Sequence, residues 1–254
     1  MKTRLLLFSV IAILLSGWSP SIESGGRIPF QLNNPDRTSK LDDKLKEISG
    51  LTWYEDDALA CVNDEEGIIY VLNSENGKIT KMIHFAGGAD YEGITYAAPF
   101  FYISTSSGTL FQVYKDDPQL KMRYNTPINW TNDVEGLAYD SDRHFLLMAC
   151  KEEPGLKYSI QNKGRAVYDY DLLKDSLIAP PKYIIKKKHL EPFISEKPKF
   201  KPSGIAIDPF DCNIYVLASI GKLLIMLSPD GTVIDVVTLD DKVHRQPEGI
   251  AFSP

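Results

Sequence analysis

The chain is 254 residues long, 43% hydrophobic and 24% charged, with a formal net charge of −6. That composition suits one large domain or two small ones. Its acidic balance argues against nucleic acid as a partner, because phosphates demand a basic surface.

Residues 1–21 have the layout of a secretory signal. Lys2 and Arg4 form a short positive region, an apolar run covers 5–15, and Ser16, Gly17 and Ser19 supply small residues for cleavage. The run is shorter than a membrane-spanning helix requires, although an uncleaved N-terminal anchor is the alternative reading. Either way the body of the protein is expected outside the cytoplasm, in the periplasm or at the cell membrane of a bacterium. Residues 22–47 read as one strand, at 27–32, and a polar linker.

From residue 48 onward the chain repeats itself. The first unit alternates as a strand over 48–53, with further strands at 58–62, 68–72 and 78–85; the Asn76-Gly77 pair marks the last hairpin turn. The second unit places strands at 91–96, 100–104 and 109–114, then a turn at 116–118 leading into a fourth. The third places strands at 134–139 and 145–150. A polar insertion at 151–163 interrupts it, and strands at 166–170 and 182–188 complete it. The fourth is compact, with strands at 202–207, 213–218, 223–227 and 232–239. A fifth unit stops after its first strand.

Each unit opens on Glu or Ser, then Gly, then an alternating apolar run, with glycines at 50, 93, 136, 204 and 249. Four short antiparallel strands recurring every 40 to 50 residues or so make a β-propeller. The expected fold is therefore all-β, a propeller of four-stranded blades over 48–254. Five motif copies are counted, a six-bladed superfamily is also compatible, and the last blade is expected to lack about two strands.

The runs EISGLTW, VNDEEGIIYVL, DYEGITY, VEGLAY, PSGIAI and QPEGIAF resemble, in that order, the SdiA-regulated (YjiK-like) family of bacterial envelope proteins. The likeness covers roughly residues 28–254. It implies a β-propeller, an exported or membrane-associated location and a bound divalent cation, but no established reaction. In the family a strand and an Asn-Glu-Gly-like segment follow the last motif; this chain lacks both.

The first strand of each propeller blade lines the central channel, so the residues before the motif glycines converge on one mouth. These are Ser49, Glu92, Glu135, Ser203 and Glu248. Crowded carboxylates are held by a cation, by protonation or by hydrogen bonds. Three roles are open to them: a clasp between blades, a cation or ligand site, and catalytic carboxylates. As a metal set, Glu92, Glu135 and Glu248 with Asn63 and Asp64 offer hard oxygen donors suited to Ca²⁺. Asp90 and Asp133 lie near in sequence.

The acidic run 63–67 lacks the ligand spacing of an EF-hand and reads as a solvated turn. Ser104–Ser107 has no nucleophile elbow around it. The four histidines share no metal-ligand spacing. Cys61 and Cys150, at matching places in two units, read as small buried hydrophobes. The aromatics after the motif, Trp53, Tyr96, Tyr139 and Phe252, read as packing between blades. Lys182, Lys186–Lys188, Lys197, Lys199 and Lys201 form a basic stretch whose functional reading is contact with a membrane surface or anionic polymer.

The function expected is an exported envelope propeller that binds a small molecule or envelope protein at its channel mouth, with a divalent cation. The alternative is a calcium-dependent hydrolase of phosphoesters or lactones.

Overall fold

The computed structural model describes residues 4–8, 11–14, 27–156, 163–195 and 197–253, the first two stretches as backbone only. The segment read as an export signal falls largely outside these residues; its two described stretches run as strands β1 (Arg4–Phe8) and β2 (Ile11–Leu14). Strand β3 (Arg37–Lys40) precedes the first repeat.

The repeats fold as all-β propeller blades. One sheet holds β4 (Ile48–Trp53), β5 (Ala58–Asn63), β6 (Ile68–Asn73) and β7 (Ile79–His84) in chain order. The next holds β8 (Tyr91–Ala97), β9 (Phe100–Thr105), β10 (Thr109–Tyr114) and β11 (Lys121–Asn125). The third is β12 (Val134–Asp140), β13 (Phe145–Cys150), β14 (Arg165–Asp171) and β15 (Ser176–Ile185). The fourth is β16 (Lys201–Ile207), β17 (Ile214–Ile220), β18 (Leu223–Leu227) and β19 (Val233–Thr238). These four blades arise because short apolar runs are folded back on their predecessors by turns, with one long connection at 151–164 between β13 and β14.

The last motif strand, β20 (Ile250–Ser253), joins a further sheet in the order β20-β1-β2-β3. The two strands expected to be missing from this unit are thus supplied by the N-terminal backbone, and the sheet has its four. The N-terminal contribution also differs from expectation in detail. Residues 27–32 form no strand. Instead Ile28 and Leu32 sink into the core beside Tyr215 and Phe252, and the Arg27 and Ile28 amides donate to Asp235 Oδ2 at 2.6 and 2.9 Å. The strand comes from the polar Arg37–Lys40, which no hydrophobic pattern marks. In the third blade, β15 starts six residues before the expected strand at 182–188, and Lys187–Leu190 is a short helical turn.

The motif strands close on one another around the axis. β4 packs on β8, β8 on β12, β12 on β16, β16 on β20 and β20 on β4. The motif glycines permit this close approach. A Cβ on Gly50 would stand 2.9 Å from Ile94 N, one on Gly93 2.9 Å from Leu137 Cβ, and one on Gly249 2.8 Å from Leu51 Cβ. Between neighbouring blades lie buried aliphatic and aromatic clusters, with Tyr70, Tyr91, Tyr168, Tyr170 and Tyr215 fully covered. Cys61 and Cys150 are part of these cores, their thiols pushed up by burial, that of Cys150 to about 12. Cys212 is exposed.

Candidate functional site

One backbone irregularity creates the mouth. In β4, β8, β12 and β16 the register against the second strand slips between the residue two before the motif glycine and the glycine itself. Ser49, Glu92, Glu135 and Ser203 are the extra residues of these β-bulges. A bulge bends its strand and re-aims the side chain it carries. Glu248 reaches the same mouth from just before β20, through Gly249 at φ +77. All five expected mouth residues therefore occupy equivalent places in the ring, and Ser49, Glu92 and Glu135 line one small central void.

They divide into two roles. The serines are clasps. Ser49 Oγ donates to Tyr91 O at 2.5 Å, and Ser203 Oγ donates to Pro247 O at 2.7 Å, in each case the backbone just before the next blade's Glu. Ser203 Oγ also accepts from Ser219 N at 2.9 Å. Both are buried, at 4% and 1% exposure. They do not line up as ligand hydroxyls.

The glutamates crowd one another. Burial, then the nearby Glu135, Asp90 and Glu248 charges, push the Glu92 carboxyl up to about 10. Burial raises Glu135 to about 7 even though Lys151 pulls the other way. Burial also raises Glu248, against a hydrogen bond at 2.8 Å from Gln246 Nε2. Lys151, one residue past β13, was not picked out from the sequence. Its Nζ lies 2.5 Å from Glu135 Oε1 and 3.9 Å from Asp133 Oδ2. Burial works against its charge, but the Glu135 contact prevails and raises its pKa. The structural pairing of Val134 with Cys150 across the hairpin sets the residue after Cys150 beside the mouth.

The two residues proposed as additional metal ligands behave differently. Asn63 is engaged by its own loop: Oδ1 accepts from Glu66 N at 2.8 Å, and Nδ2 donates to Glu66 Oε2 at 3.3 Å. Asp64 stands among Glu47, Glu65 and Asp90; burial first, and then these charges, raise its pKa. Its Oδ1 is buried without a hydrogen-bond partner. The donor set is all oxygen, the kind a hard cation takes. Among the described residues, however, no three acidic, His or Cys side chains converge to hold a metal as placed, and Lys151 Nζ occupies the position at Glu135.

The channel narrows along the axis to a void of about 10 Å³. The residues after the glycines, Leu51, Ile94, Leu137, Ile205 and Ile250, are at most 4% exposed and meet at the axis below the glutamates. Beyond this plug a basin of about 470 Å³ opens at the far ends of the same strands. Trp53, Tyr96 and Tyr139 are half-buried at this end. They pack one face on the inter-blade cores, as expected, but Trp53, Tyr96 and Tyr139 also line the basin. The basic stretch is split by the fold: Lys182 lines the basin 4.0 Å from Asp169, whereas Lys201 pairs with Glu152 beside the acidic mouth. It forms no single basic face.

The fold and the mouth define a β-propeller whose channel entrance carries three acids, Glu135 buried and Glu92 and Glu248 half-buried. The chain belongs to the SdiA-regulated family, whose model matches residues 36–254. No curated protein matches it. Among solved structures it is similar to a chain of the nidogen/laminin complex, with a TM-score of 0.58 and 10% identity over 99% of this chain and 98% of that one. It is also similar to Myxococcus xanthus glutaminyl cyclase, with a TM-score of 0.53 and 14% identity over 89% and 83% of the two chains. A luciferin-regenerating enzyme gives a TM-score of 0.51 and 15% identity over 84% and 67%. At these identities the likeness is one of fold alone.

Proposed function

We propose that the protein is an exported bacterial envelope propeller, five-bladed, that binds a cationic ligand at the acidic mouth. The carrying observation is the crowding of Glu92, Glu135 and Glu248, with two carboxyls pushed to about 10 and about 7. Desolvated carboxylates held this way are relieved by an incoming positive charge. Lys151 supplies one such charge from within the chain. A divalent cation, Ca²⁺ by the oxygen-only donor set, takes its place by displacing the ammonium and drawing in Asp64. A small molecule or envelope partner presenting a cation uses the same carboxylates.

Binding is favoured over calcium-dependent hydrolysis of phosphoesters or lactones because hydrolysis needs a base beside the metal. His144 contacts Tyr139 Oη and His244 contacts Leu32 O, both away from the glutamates, and His84 and His189 lie on β7 and the helical turn.

The test is thermal unfolding with and without CaCl₂. Metal ligands must be deprotonated, so the calcium-induced rise in midpoint is expected to be larger near pH 8 than near pH 5.5. It is expected to vanish in the Glu92→Gln/Glu135→Gln/Glu248→Gln protein. An unchanged midpoint at about pH 8 in the parent protein would remove calcium from this reading.

A further inference from the structure

We infer that the basin on the far side of the aliphatic plug is a second binding site, and that it takes a neutral, hydroxyl-rich ring, a saccharide. Its volume of about 470 Å³ falls in the range of small-molecule pockets. The inner strands that carry the glutamates end here, and the turns at 141–143 and 208–212 complete the wall. The plug residues, at most 4% exposed, separate it from the acidic mouth.

The ligand class follows from what the lining offers and what it withholds. Three half-buried rings stand at its edge, each fixed in orientation. Tyr96 packs edge-on against Tyr54 at 4.9 Å and donates its hydroxyl to Glu55 Oε1 at 2.7 Å. Tyr139 is hydrogen-bonded through Oη to His144 Nδ1 at 2.9 Å. Trp53 rests on the core formed by β4 to β6. Rigid amphipathic rings of this kind give contact area at small entropic cost and accept the C–H face of a flat ring.

Among the described residues, an anion finds no free cation in the wall. Arg143 Nε contacts Asp140 Oδ2 and its Nη1 contacts Asp169 Oδ2, both at 2.7 Å, and its guanidinium lies 4.9 Å over the Phe145 ring. Lys182 is drawn to the same Asp169. The lining itself carries Asp140, Asp142 and Asp208 against Arg143 and Lys182, a balance that disfavours an anion. A quaternary ammonium needs rings closing on it from several sides, and among the described residues no ring contact joins any two of Trp53, Tyr96 and Tyr139. What remains is a wide wall with spaced rings and with carboxylate and guanidinium edges able to share hydrogen bonds. That combination suits hydroxyl groups.

Isothermal titration of the full chain with maltose, cellobiose and N,N′-diacetylchitobiose tests this, with choline as the cationic control. At least one disaccharide is expected to bind in about the millimolar range. Tyr139→Phe, which keeps the ring, is expected to retain that affinity, and Tyr139→Ala and Trp53→Ala to lower it about tenfold or more. The Glu92→Gln/Glu135→Gln/Glu248→Gln protein is expected to bind the sugar unchanged, because the plug lies between the two sites. Where an alanine variant fails to fold, Asp142→Asn, at an exposed edge of the basin, replaces it and is expected to weaken binding. Absence of heat with all three disaccharides overturns the assignment. So does binding of choline alone, or sugar affinity indifferent to Trp53, Tyr139 and Asp142.

Discussion

Glu92 is surrounded by groups of its own sign, and its behaviour with pH follows. Its folded pKa lies above the ordinary 4.5, so the folded state holds more protons than the unfolded one between about 4.5 and 10. Stability is therefore highest on the acid side and falls as pH rises through that window. Glu135, raised to about 7, acts in the same direction over a narrower range. Glu92→Gln removes the charge while keeping the shape. It is expected to raise stability by about 1–3 kcal/mol near pH 8 and by little near pH 5, flattening the pH profile of the urea midpoint. Lys151→Gln acts oppositely. It strips Glu135 of its partner and is expected to cost about 1–3 kcal/mol at neutral pH without calcium. If Lys151 holds the position a cation would take, calcium binds that variant more tightly than the parent, and thermal shifts at a series of calcium concentrations measure the difference. The carboxylates of this site were legible in the sequence because they recur with the glycines. Lys151 was not, because no other unit carries a lysine there.

At the scale of the strand, the bulge decides what a motif residue does. The same backbone slip aims a serine at the next blade's carbonyl and a glutamate at the axis, since the short hydroxyl reaches only the neighbouring backbone. Ser203→Ala leaves Ser219 N–H and Pro247 C=O unpaired in a buried seam. It is expected to destabilise by about 1–3 kcal/mol in urea unfolding, without changing any calcium response. Gly93→Ala sets a Cβ 2.6 Å from Ser104 Oγ and 2.9 Å from Leu137 Cβ. The expected cost of that overpacking is about 1–3 kcal/mol, read as a lower thermal midpoint. The motif strands were legible because alternation and glycine coincide in them. β3 was not, because Arg37–Lys40 contributes backbone hydrogen bonds to an edge and buries little. The start of β15 was hidden by Pro180 and Pro181, which read as a break but sit within the strand at its register shift.

At the scale of the molecule, the ring joins the two ends of the chain. β20 pairs with β1, and β2 pairs with β3. The segment that reads as an export signal is thus also the one whose backbone fills the last sheet. A chain beginning at residue 22 leaves β20 and β3 each with an open edge, a template for pairing with other chains. Compared with the full-length chain, it is expected to unfold at a lower temperature and to associate on concentration, which scanning calorimetry and light scattering would reveal. The four-strand repeat was legible from motif spacing, whereas closure of the ring was not, because the fifth unit stops after its first strand. The source of the closing strands was not, because their apolar run matches a signal as well as it matches a strand.

The aliphatic plug turns the channel from a pipe into a bulkhead. With a void of about 10 Å³ between them, the acidic and aromatic ends act as two ports rather than one conduit. Occupancy of one can be felt at the other only through the five strands that pass the bulkhead, each of which presents the two ports with residues of the same short run.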